Sequence, residues 1–268
     1  MALDPLMLVM FLALGAIAGV LAGLLGVGGG LVLVAALAWL LPAQGVVPAD
    51  AAMHAALATS LASIVFTAMS SARAHAKRGS VLWPVVAWMV QGILIGGWLG
   101  SRLAVGLDGA WLRWGVAIYC LIAAAQMLLS KPRDLGDASI VPRGPWMTAA
   151  GAVIGAVSSL VGIGGGSMTV PLLTWRGVVP VRAVGTSSAC GVFIGLASAL
   201  GYALNAPAGV LPAHAIGYVY LPAAICVAIA SVLAAPSGTR IAHAISGSML
   251  KRVFALFLLA VGVSLLLP

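Results

Sequence analysis

The sequence has few charged side chains and contains no glutamate at all. Charged residues make up 7% of the 268 positions and hydrophobic residues 63%, whereas a soluble domain carries about 25% charged residues. Such a chain cannot cover its surface with polar groups, which excludes a soluble globular protein. We expect an all-α integral membrane protein whose apolar helices of about 20 residues cross the bilayer.

The few acidic residues are also absent from the apolar runs. All five lie near the N-terminus or between runs, at Asp4, Asp50, Asp108, Asp134 and Asp137. The predicted membrane interior therefore lacks the carboxylates that commonly bind protons or Na⁺ in transporters. The net charge of +8 comes from scattered Lys and Arg, which suits membrane-edge loops rather than a nucleic-acid surface. We expect a small anion as substrate, lipid as surroundings and no nucleic-acid partner.

Metal-binding patterns are missing as well. The three cysteines, Cys120, Cys190 and Cys226, lie inside apolar stretches without the spacing of metal ligands. Small buried hydrophobic side chains are the ordinary role of such cysteines. The sequence predicts neither a metal site nor a cofactor.

Apolar runs divide the chain into about eight transmembrane segments. The first run is free of charged residues from 5 to 49, which is too long for one crossing, so the helix must break within it. We expect the break at the glycines of GLLGVGGG, 23–30, because glycine destabilises a helix. The predicted segments are 6–41, interrupted at these glycines, then 49–72, 81–107, 110–130, 146–175, again interrupted by glycines, 181–204, 214–236 and 248–267.

The two halves of the sequence repeat each other. GVLAGLLGVGGGLVLVAAL (19–37) lies over GAVSSLVGIGGGSMTVPLL (155–173), and GSRLA (100–104) over GTRIA (238–242). We therefore expect two four-segment repeats, 1–130 and 146–268, joined by the polar linker 131–145.

The distribution of positive charge bears on orientation. Arg73, Lys77 and Arg78 follow the second segment, which favours a cytoplasmic loop there. The matching region of the second half, 205–217, has no Lys or Arg, while Arg176 and Arg182 precede it, and this favours inverted halves. Four complete crossings per half would instead make the halves parallel, so both arrangements stay open.

The glycine runs and the hydroxyls that follow them are the candidate substrate site. A helix that restarts after a glycine break directs free N–H groups and a partial positive charge into the protein, which suits an anion. Close helix packing is the alternative for the glycines, and bonding to the helix backbone is the alternative for the hydroxyls. The candidates are Gly28, Gly29, Gly30, Thr59, Ser60, Gly164, Gly165, Gly166, Ser167, Thr186, Ser187 and Ser188.

A few further polar residues are candidates of lower rank. Arg102 and Arg240 occupy the same place in the repeat, where they either attract anions or extend to the membrane interface. Gln91 and Gln126 are isolated amides in apolar helices, suited to interhelical bonds or ligand contact. His54, shortly before Thr59, is a further candidate.

The ordered motifs resemble a known family. GLLGVGGG and SLVGIGGG, each followed by a Thr-Ser helix (ATSL at 58–61 and GTSS at 185–188), resemble the TauE/SafE family of bacterial membrane permeases over about 6–267. The resemblance implies secondary transport, often export, of a small sulfur-containing anion such as sulfite or an organosulfonate, in the bacterial inner membrane. Alternating access between the two repeats is the expected mechanism.

Other functions compete with this one. A permease for a carboxylate or another small metabolite fits the same pattern. An intramembrane hydrolase would need a base beside Ser167, and the sequence offers no such partner at mid-helix depth. A purely structural subunit would leave the paired glycine runs without a purpose. We expect a transporter and not an enzyme.

Overall fold

The protein is mostly helical. The computed structural model describes residues 5–25, 29–129, 141–211, 214–244 and 247–266, and these form ten α-helices and a hairpin of two very short strands. The first five helices are α1 (Pro5–Leu25), α2 (Gly30–Ala43), α3 (Ala52–Ala76), α4 (Trp83–Val105) and α5 (Gly109–Leu129). The remaining elements are α6 (Pro145–Val161), α7 (Gly166–Trp175), α8 (Pro180–Asn205), β1 (Ala215–Ile216), β2 (Val219–Tyr220), α9 (Leu221–Ala244) and α10 (Gly247–Leu266).

Both predicted glycine interruptions are present. The first segment divides into α1 and α2, and the fifth divides into α6 and α7. The prediction of one helix over 214–236 is wrong at its start, where the β1–β2 hairpin precedes α9. Gly217 has a φ of 55° in this turn, and Pro222 lies in the first turn of α9, where a missing N–H costs nothing.

The lengths and composition of the helices fit a multi-pass membrane protein. Within the described residues, five helices are long and apolar enough to cross a membrane: Pro5–Leu24, Ala52–Ala76, Trp83–Val105, Pro180–Asn205 and Leu221–Ile241. The 14 residues of α2 and the 10 of α7 are fewer than the ~20 that a crossing needs.

Two parallel helix pairs are held together by glycines. A Cβ added to Gly19 of α1 would lie 2.5 Å from the Cα of Ser231 in α9, and one added to Gly155 of α6 would lie 2.6 Å from the oxygen of Ile93 in α4. Close helix packing therefore explains the glycines spaced four residues apart along α1. Along α1, Gly15 faces Val227 and Gly23 faces Ala235, so α1 and α9 run in the same direction.

The centre of the bundle is an antiparallel pair, α3 and α8. Gly195 packs against the oxygen of Leu61 near one end of the contact, and Ser71 lies 3.1 Å from Ser188 near the other. The repeat in the sequence places α3 over α8, and these two helices run in opposite directions. This favours the inverted arrangement of the halves over the parallel one.

Basic side chains collect at one end of the bundle. There the α3–α4 turn packs against the start of α8, and Arg78 donates to the backbone oxygen of Thr239 near the end of α9 (3.4 Å). We call this the basic end, and the opposite end, where α4 meets α5, the cavity end. The Lys and Arg at the basic end include Arg73, Lys77, Arg78, Arg143, Arg176, Arg182, Arg240 and Arg252, whereas Arg102 and Arg113 lie toward the cavity end.

Candidate functional site

The two glycine breaks meet near the middle of the bundle. Gly29 (φ 67°) precedes α2 and Gly165 (φ 75°) precedes α7, both in the left-handed region that glycine adopts without strain. Gly30 lies so close to Gly162 that a Cβ there would overlap the carbonyl oxygen of Gly162. Two short helices therefore begin inside the protein, with their positive ends at the centre.

Ser60 joins the two breaks. Its Oγ lies 3.1 Å from the carbonyl oxygen of Gly30 and 3.1 Å from that of Gly162. A hydroxyl has one proton to donate, so Ser60 is shared between the two carbonyls. Of the predicted site residues, Ser60 is thus at the centre, in a bridging role between the halves.

Thr59 and Thr186 form a reciprocal pair of bonds between the halves. Thr59 Oγ1 accepts the backbone N–H of Tyr220 just before α9, and Thr186 Oγ1 accepts that of Leu82 just before α4, both at 3.0 Å. Thr186 Oγ1 also donates to the carbonyl of Arg182 (2.7 Å). Because these hydroxyls already hold backbone groups, their recurrence is explained by architecture.

The remaining predicted hydroxyls differ in their surroundings. Ser187 is fully buried, and Ser188 donates to the carbonyl of Val184 (3.0 Å). Ser167, the second residue of α7, is half-buried and forms a short hydrogen bond with the hydroxyl of Tyr119 in α5. Ser167 therefore stands at the start of α7, facing a helix of the other half.

Two buried hydroxyls that the sequence analysis missed lie beside the second break. Within the described part of the chain, Ser158 Oγ of α6 and Thr169 Oγ1 of α7 have no hydrogen-bond partner. Ser158 Oγ lies 3.5 Å from the position of a Cβ on Gly165. Buried polar groups without partners are uncommon in folded proteins, so these two hydroxyls are candidates for a binding role.

The first break is apolar at the matching positions. The repeat alignment places Ala22 over Ser158, Leu31 over Ser167 and Leu33 over Thr169, and these three residues are buried. The polar side chains are thus concentrated at the second break, and the two breaks differ in chemistry although both lie before a short helix.

Several predicted residues lie elsewhere. Arg102 and Arg240 are exposed at opposite ends of the bundle, Gln91 is exposed on α4 and Gln126 is half-buried on α5. Gly164 and Gly166 are buried at the second break. Gly28 lies outside the described residues.

A cavity of about 990 Å³ opens at the cavity end. The residues that line it include His54, Asp50, Asp108, Arg113 and Tyr218. Its floor lies about one helical turn from the second break. Two fully buried residues, Val34 of α2 and Leu57 of α3, contact Gly162 at that break. The lining residues Ala38 and Met53 are each four residues from one of them in the same helix.

The fold and these paired breaks define a multi-pass membrane protein with interior helix ends of the kind that transporters use. Residues 11–265 match the family model described as sulfite exporter TauE/SafE, and the chain belongs to that family. A probable membrane transporter protein of Haemophilus influenzae is 35% identical over 96% of this chain and 97% of its own. Relatives of the same description from Xylella fastidiosa and Methanocaldococcus jannaschii are 28% and 26% identical, each over at least 94% of both chains. No solved structure matches the chain. The protein is therefore a membrane transporter.

Proposed function

We propose that the protein exports a small sulfur-containing anion, such as sulfite or an organosulfonate, across the bacterial inner membrane. The observation that carries this proposal is the second glycine break, where an interior helix begins beside buried hydroxyls that have no partner. Membership of a family described as sulfite exporters supports the substrate class. The concentration of Lys and Arg at the basic end favours that end as the cytoplasmic one.

The anion would bind at the start of α7. The first backbone N–H groups of a helix have no partner within the helix and carry its partial positive charge. Ser158 and Thr169 add buried hydroxyls, and Ser167 adds one shared with Tyr119. Neutral donors of this kind stabilise an oxyanion without a buried cation, and a sulfonate offers three acceptor oxygens.

Transport would proceed by alternating access in an inverted pair of repeats. The cavity at the cavity end would then open to the outside, and Val34 and Leu57 would separate it from the bound anion. The tight α1–α9 and α4–α6 pairs cross between the sequence halves, so we expect these pairs, and not the halves, to move as units.

Transport is preferred to hydrolysis because of the partner of Ser167. Nucleophilic catalysis needs a base within hydrogen-bond reach of the serine, and the hydroxyl of Ser167 bonds to a tyrosine hydroxyl, which is a poor base. The same hydroxyl suits a role in ligand binding.

The test is the thermal stability of purified protein in detergent with sulfite, sulfate, thiosulfate, taurine, sulfoacetate and simple carboxylates. An anion at 100 times its dissociation constant stabilises by about 2.7 kcal/mol. We expect stabilisation by a sulfur anion that is lost in Gly165→Ala and kept in Gly79→Ala, a control with a similar φ of 65° and no atom within 4 Å of an added Cβ.

Other results would change the proposal. Stabilisation by carboxylates alone would replace the substrate class, and equal losses in the two glycine variants would remove the site. Export is measured in everted membrane vesicles, which should accumulate the stabilising anion. Efflux from such vesicles without accumulation would reverse the proposed direction.

A further inference from the structure

The cavity holds a buried histidine whose contacts place a proton on one ring nitrogen. His54 Nε2 lies 2.9 Å from the carbonyl oxygen of Leu107 and 3.2 Å from that of Ala104. Carbonyl oxygens only accept hydrogen bonds, so the proton must be on Nε2. The ring also stacks on Tyr218, with centroids 4.8 Å apart and planes at 21°.

The other ring nitrogen is left with a lone pair. In the described part of the chain, Nδ1 of His54 is buried and has no hydrogen-bond partner, and the whole side chain is 5% exposed. If Nδ1 binds a proton, the ring becomes an imidazolium whose Nε2–H still donates to the two carbonyls. Histidine is the side chain that makes this change near neutral pH.

In the described structure, four other ionisable side chains line the cavity. The ionisable groups that line it with His54 are Asp50 before α3, Asp108 in the α4–α5 turn, Arg113 of α5 and Tyr218 of the hairpin turn. Arg113 Nε donates to the carbonyl of Leu265 at 2.5 Å. The lining residues from α2 and α10 are not ionisable. Two carboxylates and one guanidinium therefore line the cavity together with His54.

Two contacts fix the position of the His54 ring. The carbonyls that accept from Nε2 belong to the last turn of α4 and to the turn after it. Tyr218, on which the ring stacks, stays neutral, because burial and the nearby Asp50 carboxylate raise its pKa.

We propose that His54 is the proton-binding residue of the transport cycle. Its Nδ1 takes up a proton that enters by way of the cavity, and anion transport depends on that proton. The five acidic residues of the chain all lie outside the predicted interior, so a histidine would supply the function that carboxylates have in other transporters. His54 also bonds α3 to the α4–α5 turn, so its charge bears directly on a contact between helices. This inference rests on the proposed function only in assuming that an anion is transported.

The first experiment measures proton binding without any substrate. Protein labelled with ¹⁵N-histidine is titrated between pH 5 and 8, and the signal missing from His54→Gln assigns the residue. We expect Nδ1 to gain a proton while Nε2 keeps its own. A ring that stays in one protonation state throughout, or that changes at Nε2, would overturn the proposal.

The second experiment measures sulfite counterflow in proteoliposomes over the same range. Glutamine can donate to the same carbonyls and does not titrate, so the pH profile of His54→Gln should keep only the change that sulfite itself undergoes between its monoanion and its dianion. The wild type should change about tenfold per pH unit on the limb where one proton controls the rate. His214→Asn is the control, since His214 is exposed with a φ of 74° that asparagine tolerates.

The outcomes separate the two proposals. Equal pH profiles of the wild type and His54→Gln would refute the proton coupling while sulfite transport stands. A wild type that moves no sulfite but whose His54 titrates at Nδ1 would refute the substrate and support the proton site. If His54→Gln does not fold, as judged by melting, the titration of the wild type decides the question. Its four histidine signals are then assigned by elimination with His75→Gln, His214→Asn and His243→Gln.

Discussion

Replacing Ser158 by alanine should stabilise the protein and weaken its anion binding, which is the opposite of what loss of a structural serine does. Ser158 Oγ is buried without a hydrogen-bond partner in the described structure, and burying an unpaired hydroxyl costs about 1–3 kcal/mol. Ser158→Ala removes that cost. The melting temperature without anion should therefore rise, or stay unchanged if lost packing contacts offset the gain.

The same change removes a donor to the anion. A hydrogen bond to a charged group contributes about 1.5–3 kcal/mol, which corresponds to a dissociation constant weaker by roughly 10- to 100-fold. The assay is a titration of the stabilising sulfur anion, followed by the melting temperature, in the wild type and in the variant.

The neighbouring serine is the control. Ser159 Oγ donates to the carbonyl of Ala156 in its own helix at 2.8 Å, so Ser159→Ala should lose about 1 kcal/mol of stability and keep its response to the anion. The reasoning is refuted if Ser158→Ala loses stability as Ser159→Ala does and binds the anion with unchanged affinity.

Three further outcomes are expected. Gly96→Ala should lower the melting temperature, at a cost of about 1–3 kcal/mol, because its Cβ would overlap the α6 backbone, whereas Gly115→Ala, with no atom within 4 Å, should be neutral or stabilising; similar losses in both would contradict the packing argument. Ser60→Ala should cost about 1–3 kcal/mol, measured by urea or thermal unfolding, since two buried carbonyls lose their shared donor, and an unchanged stability would show that the bridge contributes nothing. The orientation is tested in a background with the native cysteines replaced by alanine. There, Asp108→Cys should react with an impermeant maleimide added to intact cells, and Lys77→Cys should react only after lysis. The reverse pattern of labelling would invert the proposed orientation.

Much of the helical architecture could be predicted from apolar runs and glycines. The glycine breaks before α2 and α7 are where three consecutive glycines interrupt an apolar run, because glycine is the residue that the left-handed positions Gly29 and Gly165 require. The β1–β2 hairpin was missed because its sequence, AIGYVY, is as apolar as the helix that follows. Hydropathy alone does not separate a short buried hairpin from the start of a helix.

The candidate site was harder to predict, for a physical reason. Recurrence in both halves selected Thr59 and Thr186, and these serve the symmetric framework by holding backbone N–H groups of the opposite half. Ser158 has no hydroxyl at its counterpart, Ala22, so recurrence passes over it. A single small substrate in an inverted pair of repeats contacts each half differently, so its ligands need not recur. Tyr119, whose hydroxyl bonds to Ser167, lies in the first half of the chain. No motif near Tyr119 in the sequence predicts this contact.

The parallel packing of α1 against α9 has a consequence for how the chain is made. The glycine face of α1 meets its partner only after some two hundred further residues have been synthesised. Until then the early helices must wait in the bilayer with their closest-packing surfaces covered by lipid or by the insertion machinery. We expect the amino-terminal half expressed alone to be degraded, and the two halves expressed as separate chains to protect each other, because each completes the helix pairs that the other leaves open.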